Sequence, residues 1–232
     1  NEKLIKAYKA NWSSLTEELN KILQNKDYDQ KPTNPLLLSI DEEKYTNADI
    51  NVLIIGQETN DWGHIFNSNF DETIEIYDDF FNSGHALENY GGQFWNGVNR
   101  FHDLLAKKFP DKKINLTWNN VVKIGAAGRN QNHPKEYIYN IEKNNFNVLP
   151  DEIEILNPDI ILFVSGPYYD SNIEDKLKDI EFVKVDDEFP IRRLSKIKYR
   201  QYQNIFRTYH PNYLWRNNIN DYFNTIIENI HI

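Results

Sequence analysis

Four short clusters in the chain bring titratable and hydrogen-bonding side chains together: Gly56-Gln57-Glu58-Thr59-Asn60, Trp118-Asn119-Asn120, Ser165-Gly166-Pro167-Tyr168-Tyr169 and Tyr209-His210-Pro211-Asn212-Tyr213-Leu214. Glu58 follows an apolar run and a glycine. A carboxylate there could orient or deprotonate a water, or stabilise a developing cation; it could equally cap the next helix. Asp61 is a second carboxylate in the same loop. Asn119 and Asn120 each offer one acceptor and two donors, which match the edge of a nucleobase or close a local turn. Pro211 biases His210 to an extended backbone. A neutral imidazole there could donate to a developing oxyanion, or it could be a structural histidine. No His-x-x-x-His pair, phosphate-cradling Gly-rich loop or Gly-x-Ser-x-Gly elbow occurs, so no metal is expected.

The elements that must position these clusters follow from periodicity. Residues 50–55 (INVLII), 160–164 (IILFV) and 204–208 are short apolar runs, as in strands buried on both faces. Residues 114–118 (INLTW) lead into Asn119 and read as another strand, and residues 181–185 as a short one. Residues 1–25 carry apolar side chains at helical spacing, giving one or two helices. Phe94, Trp95, Val98, Phe101, Leu104 and Leu105 predict a helix, as do residues 149–156 and 218–230. Residues 57–89 read as a long loop, helical around 72–81. Strands alternating with helices predict a parallel α/β sheet. Ligands bind such sheets beyond the carboxyl ends of the strands. All four polar clusters would then meet on one rim.

Composition bounds the partners. The chain has 232 residues, no Cys, and 26 Lys plus Arg against 35 Asp plus Glu, a net charge of −9. Absent cysteine excludes disulfides, iron–sulfur clusters and thiol nucleophiles. The acidic balance argues against a protein that coats nucleic acid by bulk charge. Yet residues 189–220 hold no acid and seven cations: Arg192, Arg193, Lys196, Lys198, Arg200, Arg207 and Arg216. Interleaved with tyrosines, that strip (192–216) suits a nucleic-acid groove or is a solvated basic face. No apolar run approaches the roughly 20 residues of a membrane span, and a cytoplasmic protein is the expectation. One domain is expected, with residues 1–48 a helical extension and 49–232 an α/β core.

In order along the chain, VLIIGQETN, GGQFWNGVNRFHDLL, LTWNNVVKIG, ILFVSG and TYHPNYLW resemble the motifs of the uracil-DNA glycosylase superfamily. The resemblance implies a three-layer αβα sandwich with a central, mainly parallel four-stranded sheet. It implies hydrolysis of the N-glycosidic bond of a flipped uracil or other modified or mismatched base, without cofactor or metal. The residues it implies are Glu58 and His210 as catalytic groups, with Gln57, Asn119, Phe94 and Trp62 around the base. Asn212, Leu214, Arg207, Arg216 and Ser165 would contact DNA, Leu214 as a wedge. The motif departs where Glu58 stands for Asp or Asn, Thr59 for Pro, and Tyr213 for a second Pro. A catalytically inactive relative that binds nucleic acid, a nucleotide or a protein through the same rim is the alternative.

Overall fold

The computed structural model describes residues 1–128 and 133–232. Helix α1 (Glu2–Gln24) is one continuous helix, with Leu4, Tyr8, Leu15, Leu19 and Ile22 buried on one stripe. It is followed by α2 (Glu42–Asn47), β1 (Ile50–Glu58), α3 (Phe70–Tyr77), α4 (Gly92–Lys108), β2 (Ile114–Val122), α5 (Glu136–Asn145) and α6 (Leu149–Leu156). Then come β3 (Ile160–Phe163), α7 (Asp170–Leu177), β4 (Glu181–Val183), β5 (Leu194–Lys198), β6 (Ile205–Thr208), α8 (Pro211–Leu214) and α9 (Ile219–Glu228). The loop expected over residues 57–89 is mostly structured, with α3 and two π turns (Asp78–Asn82 and Ala86–Tyr90).

The strands form one sheet in the order β2-β1-β3-β6-β5-β4. Its first four strands are parallel. Strand β5 runs antiparallel to β6, and β4 antiparallel to β5. The sheet is therefore mixed and six-stranded, where four strands were expected. Residues 194–198 (LSKIK) escaped because their apolar positions are interrupted by Ser195 and Lys196 and they lie inside the basic strip.

Burial explains which strands were legible. In β1, residues 52–56 are all buried between β2 and β3, and each buried Val, Leu or Ile side chain contributes roughly 1.5–3 kcal/mol. Two strands run further than expected. Gly56 pairs with Asn120 and Glu58 with Val122, so Glu58 ends β1 and both asparagines lie inside β2.

Helix α4 packs on α8 and α9, whereas α1 packs on α5 and α6, and α6 on α7. Adjacent residues of β2 place these groups on opposite faces: Asn119 reaches Glu152 of α6, while Asn120 lies beside Phe94 of α4. Helix α1 belongs to the same core, its Tyr8 hydroxyl bonding Glu152 and the Leu38 carbonyl. Among the described residues, no helix is long and apolar enough to cross a membrane.

Candidate active site

The carboxyl rim of the parallel strands opens into a cavity of about 760 Å³, lined by Gln57, Glu58, Asp61, Trp62, Phe94, Asn120 and His210 among others. Two glycines permit this convergence. A Cβ on Gly56 would lie 2.4 Å from Asn120 Oδ1 and 3.2 Å from the Phe94 ring. Only a residue without a side chain lets β2 and α4 meet over β1. A Cβ on Gly97 would lie 2.5 Å from Pro211 Cβ, so glycine lets the His210-Pro211 turn seat on α4.

Glu58 is a carboxyl nearly cut off from water, its side chain 8% exposed. Oε1 lies 3.4 Å from Nδ1 of His133. Oε2 is buried with no hydrogen-bond partner among the described residues. Burial therefore pushes the carboxyl up to about 8, because the charged form loses hydration without gaining donors. At neutral pH it is mostly protonated.

His210 shows the mirror effect. Burial pulls its imidazole down to about 4, so it is neutral. The backbone N–H of Asn212 donates to Nδ1 at 3.2 Å. A neutral ring that accepts at Nδ1 carries its proton on Nε2, so Nε2–H is the free donor. Pro211 opens α8 and sets that turn, and the Phe94 ring lies 5.5 Å from the imidazole at 34°.

Gln57 donates from Nε2 to the Ser165 carbonyl at 2.7 Å, tying β1 to the turn after β3. Trp62 is buried in the wall, edge-on to Trp118 at 5.4 Å and to Phe80 at 5.5 Å. Asp61 accepts from the Gly128 backbone N–H at 2.8 Å, which anchors the loop after β1.

Several expected site residues lie elsewhere. Asn119 is fully buried on the opposite face of β2, donating to Glu152 at 2.9 Å and accepting from Lys123. The one-residue shift follows from the two-residue period of a strand. Asn120 faces the cavity instead, and among the described residues no hydrogen bond engages its side-chain amide. Leu214 is fully buried and cannot act as an exposed wedge; Trp215 beside it is 40% exposed. Arg207 is buried, bonded to Asp170 and to the carbonyls of Ile191 and Arg192, so it is closed to phosphate. Ser165 is buried too.

The basic strip also divides. Leu194 pairs with Thr208 and Lys196 with Phe206, so β5 runs away from the rim. Lys198 bonds Glu181 and Arg200 bonds Glu154, both at 2.9 Å, at the far end of the sheet. Arg192, Arg193, Arg216 and Asn212 stay exposed near the rim, with Arg192 over the Tyr168 ring at 5.3 Å.

Two features of the site, Phe80 and His133, had little readable signal. Trp118 and Phe80 build the aromatic wall, and the pattern of residues 57–89 marked Phe80 only as part of a helix. His133 stands in a polar segment after β2, far in sequence from any motif, yet reaches Glu58.

An open-rimmed α/β sheet whose cavity holds a buried carboxyl, a free amide and a neutral imidazole defines the class. A family model describing the uracil DNA glycosylase superfamily matches residues 43–231. The chain belongs to that superfamily and is DNA glycosylase-like at the family level. Among curated proteins, none matches it.

Proposed function

We propose that the protein hydrolyses the N-glycosidic bond of a flipped uracil, or of another modified or mismatched base, in DNA. The observation that carries this reading is the meeting of Glu58, Asn120, Phe94 and His210 around one cavity over Gly56. The target nucleotide leaves the stack and enters the cavity. Asn120, rather than Asn119, pairs with the base edge. Phe94 or Trp62 stacks on the base. Nε2–H of His210 donates to the base carbonyl as negative charge builds on the departing base. Its neutrality is useful, because the donor is present across the whole physiological range. Glu58, once deprotonated, orients water toward the sugar carbon and stabilises the cation forming there. Asn212, Arg192, Arg193 and Arg216 are the exposed groups that hold phosphates.

The experiment uses oligonucleotides bearing uracil, hypoxanthine or a mismatch. Wild type releases a base from at least one, and Glu58→Gln lowers that release by about 10²-fold or more. No release by wild type from any of them overturns the reading. A binding-only protein has one feature in its favour, the burial that pushes the Glu58 carboxyl up to about 8 and so favours its uncharged form. Salt-sensitive affinity without release would establish that alternative.

A further inference from the structure

Ionised Glu58 is what the proposed reaction needs, yet although it lines the cavity, only 8% of its side chain is exposed. The carboxyl is buried, and Oε2 touches no partner among the described residues. Among the described residues, His133 is the only His, Lys or Arg within 4 Å of that carboxylate. Its side chain is 73% exposed while its Nδ1 lies 3.4 Å from Glu58 Oε1. The same Nδ1 lies 3.0 Å from the Tyr169 hydroxyl, which fixes the ring between the segment before α5 and the turn before α7. One nitrogen thus faces a mostly buried acid while most of the ring meets water. The other titratable groups around the cavity are Asp61, His64, Glu72, Tyr90 and His210. Asp61 is engaged by Gly128 and lies beside His64, and Glu72 accepts from Asn67. His210 is committed to its own turn through Nδ1.

We propose that His133 is a positioning residue that carries the proton between Glu58 and solvent and then faces the carboxylate it leaves. This inference rests on the reading of Glu58 as the group that orients water. The steps balance. The Glu58 O–H bond breaks, and its proton binds Nδ1 of His133. The imidazolium releases the proton on Nε2 to water. The ring is left as the Nδ1–H tautomer, which donates to the new carboxylate. Nothing is oxidised or reduced. The 3.4 Å separation shortens to hydrogen-bond distance at the moment of transfer. While the ring is still charged, it opposes the desolvation that holds the acid neutral.

The test compares wild type with His133→Gln, which keeps a polar side chain at an exposed position and removes the titrating ring. Carbon-13 NMR of labelled glutamate follows the Glu58 carboxyl directly, with Glu58→Gln assigning the signal. The Glu58 titration moves upward by about one pH unit in the variant. Base release falls about tenfold at pH 7, returns to the wild-type rate well above the shifted titration, and is partly restored at pH 7 by added imidazole. A Glu58 titration unchanged by the substitution, with release lowered equally at every pH, overturns the proposal and leaves His133 a structural contact. If wild type releases no base at all, the glycosylase reading falls by itself. The NMR titration then still decides whether His133 governs the protonation of Glu58.

Discussion

The two faces of β2 set two buried polar clusters side by side, and they have opposite characters. On one face, Glu152 accepts from Tyr8, Asn119 and Lys123, the last at 2.8 Å. Next to it, Glu142 accepts from Lys176 and from the backbone N–H groups of Lys123 and Ile124. On the other face, Glu58, Asn120 and His210 line an open cavity, and among the described residues Glu58 Oε2 has no hydrogen-bond partner. Burial acts on both. Where partners surround a charge, as at Glu152 and Lys123, the cost of desolvation is opposed by the ion pair. Where none do, the group gives up its charge instead. Adjacent residues of one strand therefore face a structural lock on one side and the candidate site on the other.

The largest effect is expected on the locked face. Glu152→Ala strands Lys123 in the core and leaves Tyr8 and Asn119 without their acceptor. Removing one partner of a buried pair costs about 3–5 kcal/mol. Chemical denaturation should show a loss of that size. A loss no greater than that for an exposed carboxylate such as Glu181 would erase the distinction between the faces.

The cavity face should instead reveal itself through pH. Glu58 titrates at 4.5 when unperturbed and at about 8 in the folded chain. Between those values the folded state keeps a proton that the unfolded state has lost. Stability therefore falls as pH rises from 4.5 to 8, by about 1.4 kcal/mol for each unit of separation at most. His210 slopes the other way. Its unperturbed value is 6.5 and its folded value about 4, so its contribution is lost as pH falls from 6.5 toward 4. In urea denaturation across pH, Glu58→Gln should gain on wild type as pH rises from 4.5 to 8. His210→Asn should gain on wild type as pH falls below 6.5. Parallel curves for wild type and Glu58→Gln would mean that the carboxyl has partners after all.

The two neighbouring asparagines give the sharpest version of the contrast, at smaller magnitude. Asn119→Ala leaves buried donors and acceptors unmet and should cost about 1–3 kcal/mol of stability. Its base release per folded molecule should match wild type. Asn120→Ala, whose amide holds no other side chain, should leave stability within about 1 kcal/mol and strongly reduce release. Equal loss of release in both would place base recognition on neither face alone.

These pairs also indicate how far the chain could be read in advance. Strand β1 was legible because burial on both faces leaves an uninterrupted apolar run. Strand β5 was not, since Ser195 and Lys196 break its apolar pattern. Gln57, Glu58, Trp62, Phe94 and His210 all line the cavity, because the ends of parallel strands meet on one rim. Asn119 was misplaced because two consecutive asparagines carry no mark of which face each one takes. Arg207 and Leu214 show the same limit. Residue type proposes a contact, but a guanidinium can be closed off by one aspartate and two carbonyls, and a leucine can turn into the core. His133 has no local pattern at all, because only the folded chain brings it to Glu58.

The smallest effect separates the two ends of the sheet. Arg192, Arg193 and Arg216 remain exposed near the cavity, whereas Lys198 and Arg200 sit at the opposite end beside Glu181 and Glu154. Sequence alone placed all five in one strip, but the reversal of β5 divides them. A phosphate contact near the site should contribute about one unit to the slope of log affinity against log salt. Arg216→Ala and Arg192→Ala should each reduce that slope by about one and weaken binding to every sequence alike. Lys198→Ala and Arg200→Ala should change neither, because a groove that begins at the cavity does not reach them. Fluorescence anisotropy with one labelled oligonucleotide over a salt series measures all four. Equal slopes lost at both ends would return the strip to a single continuous surface, and the reversal of β5 would then carry no functional meaning.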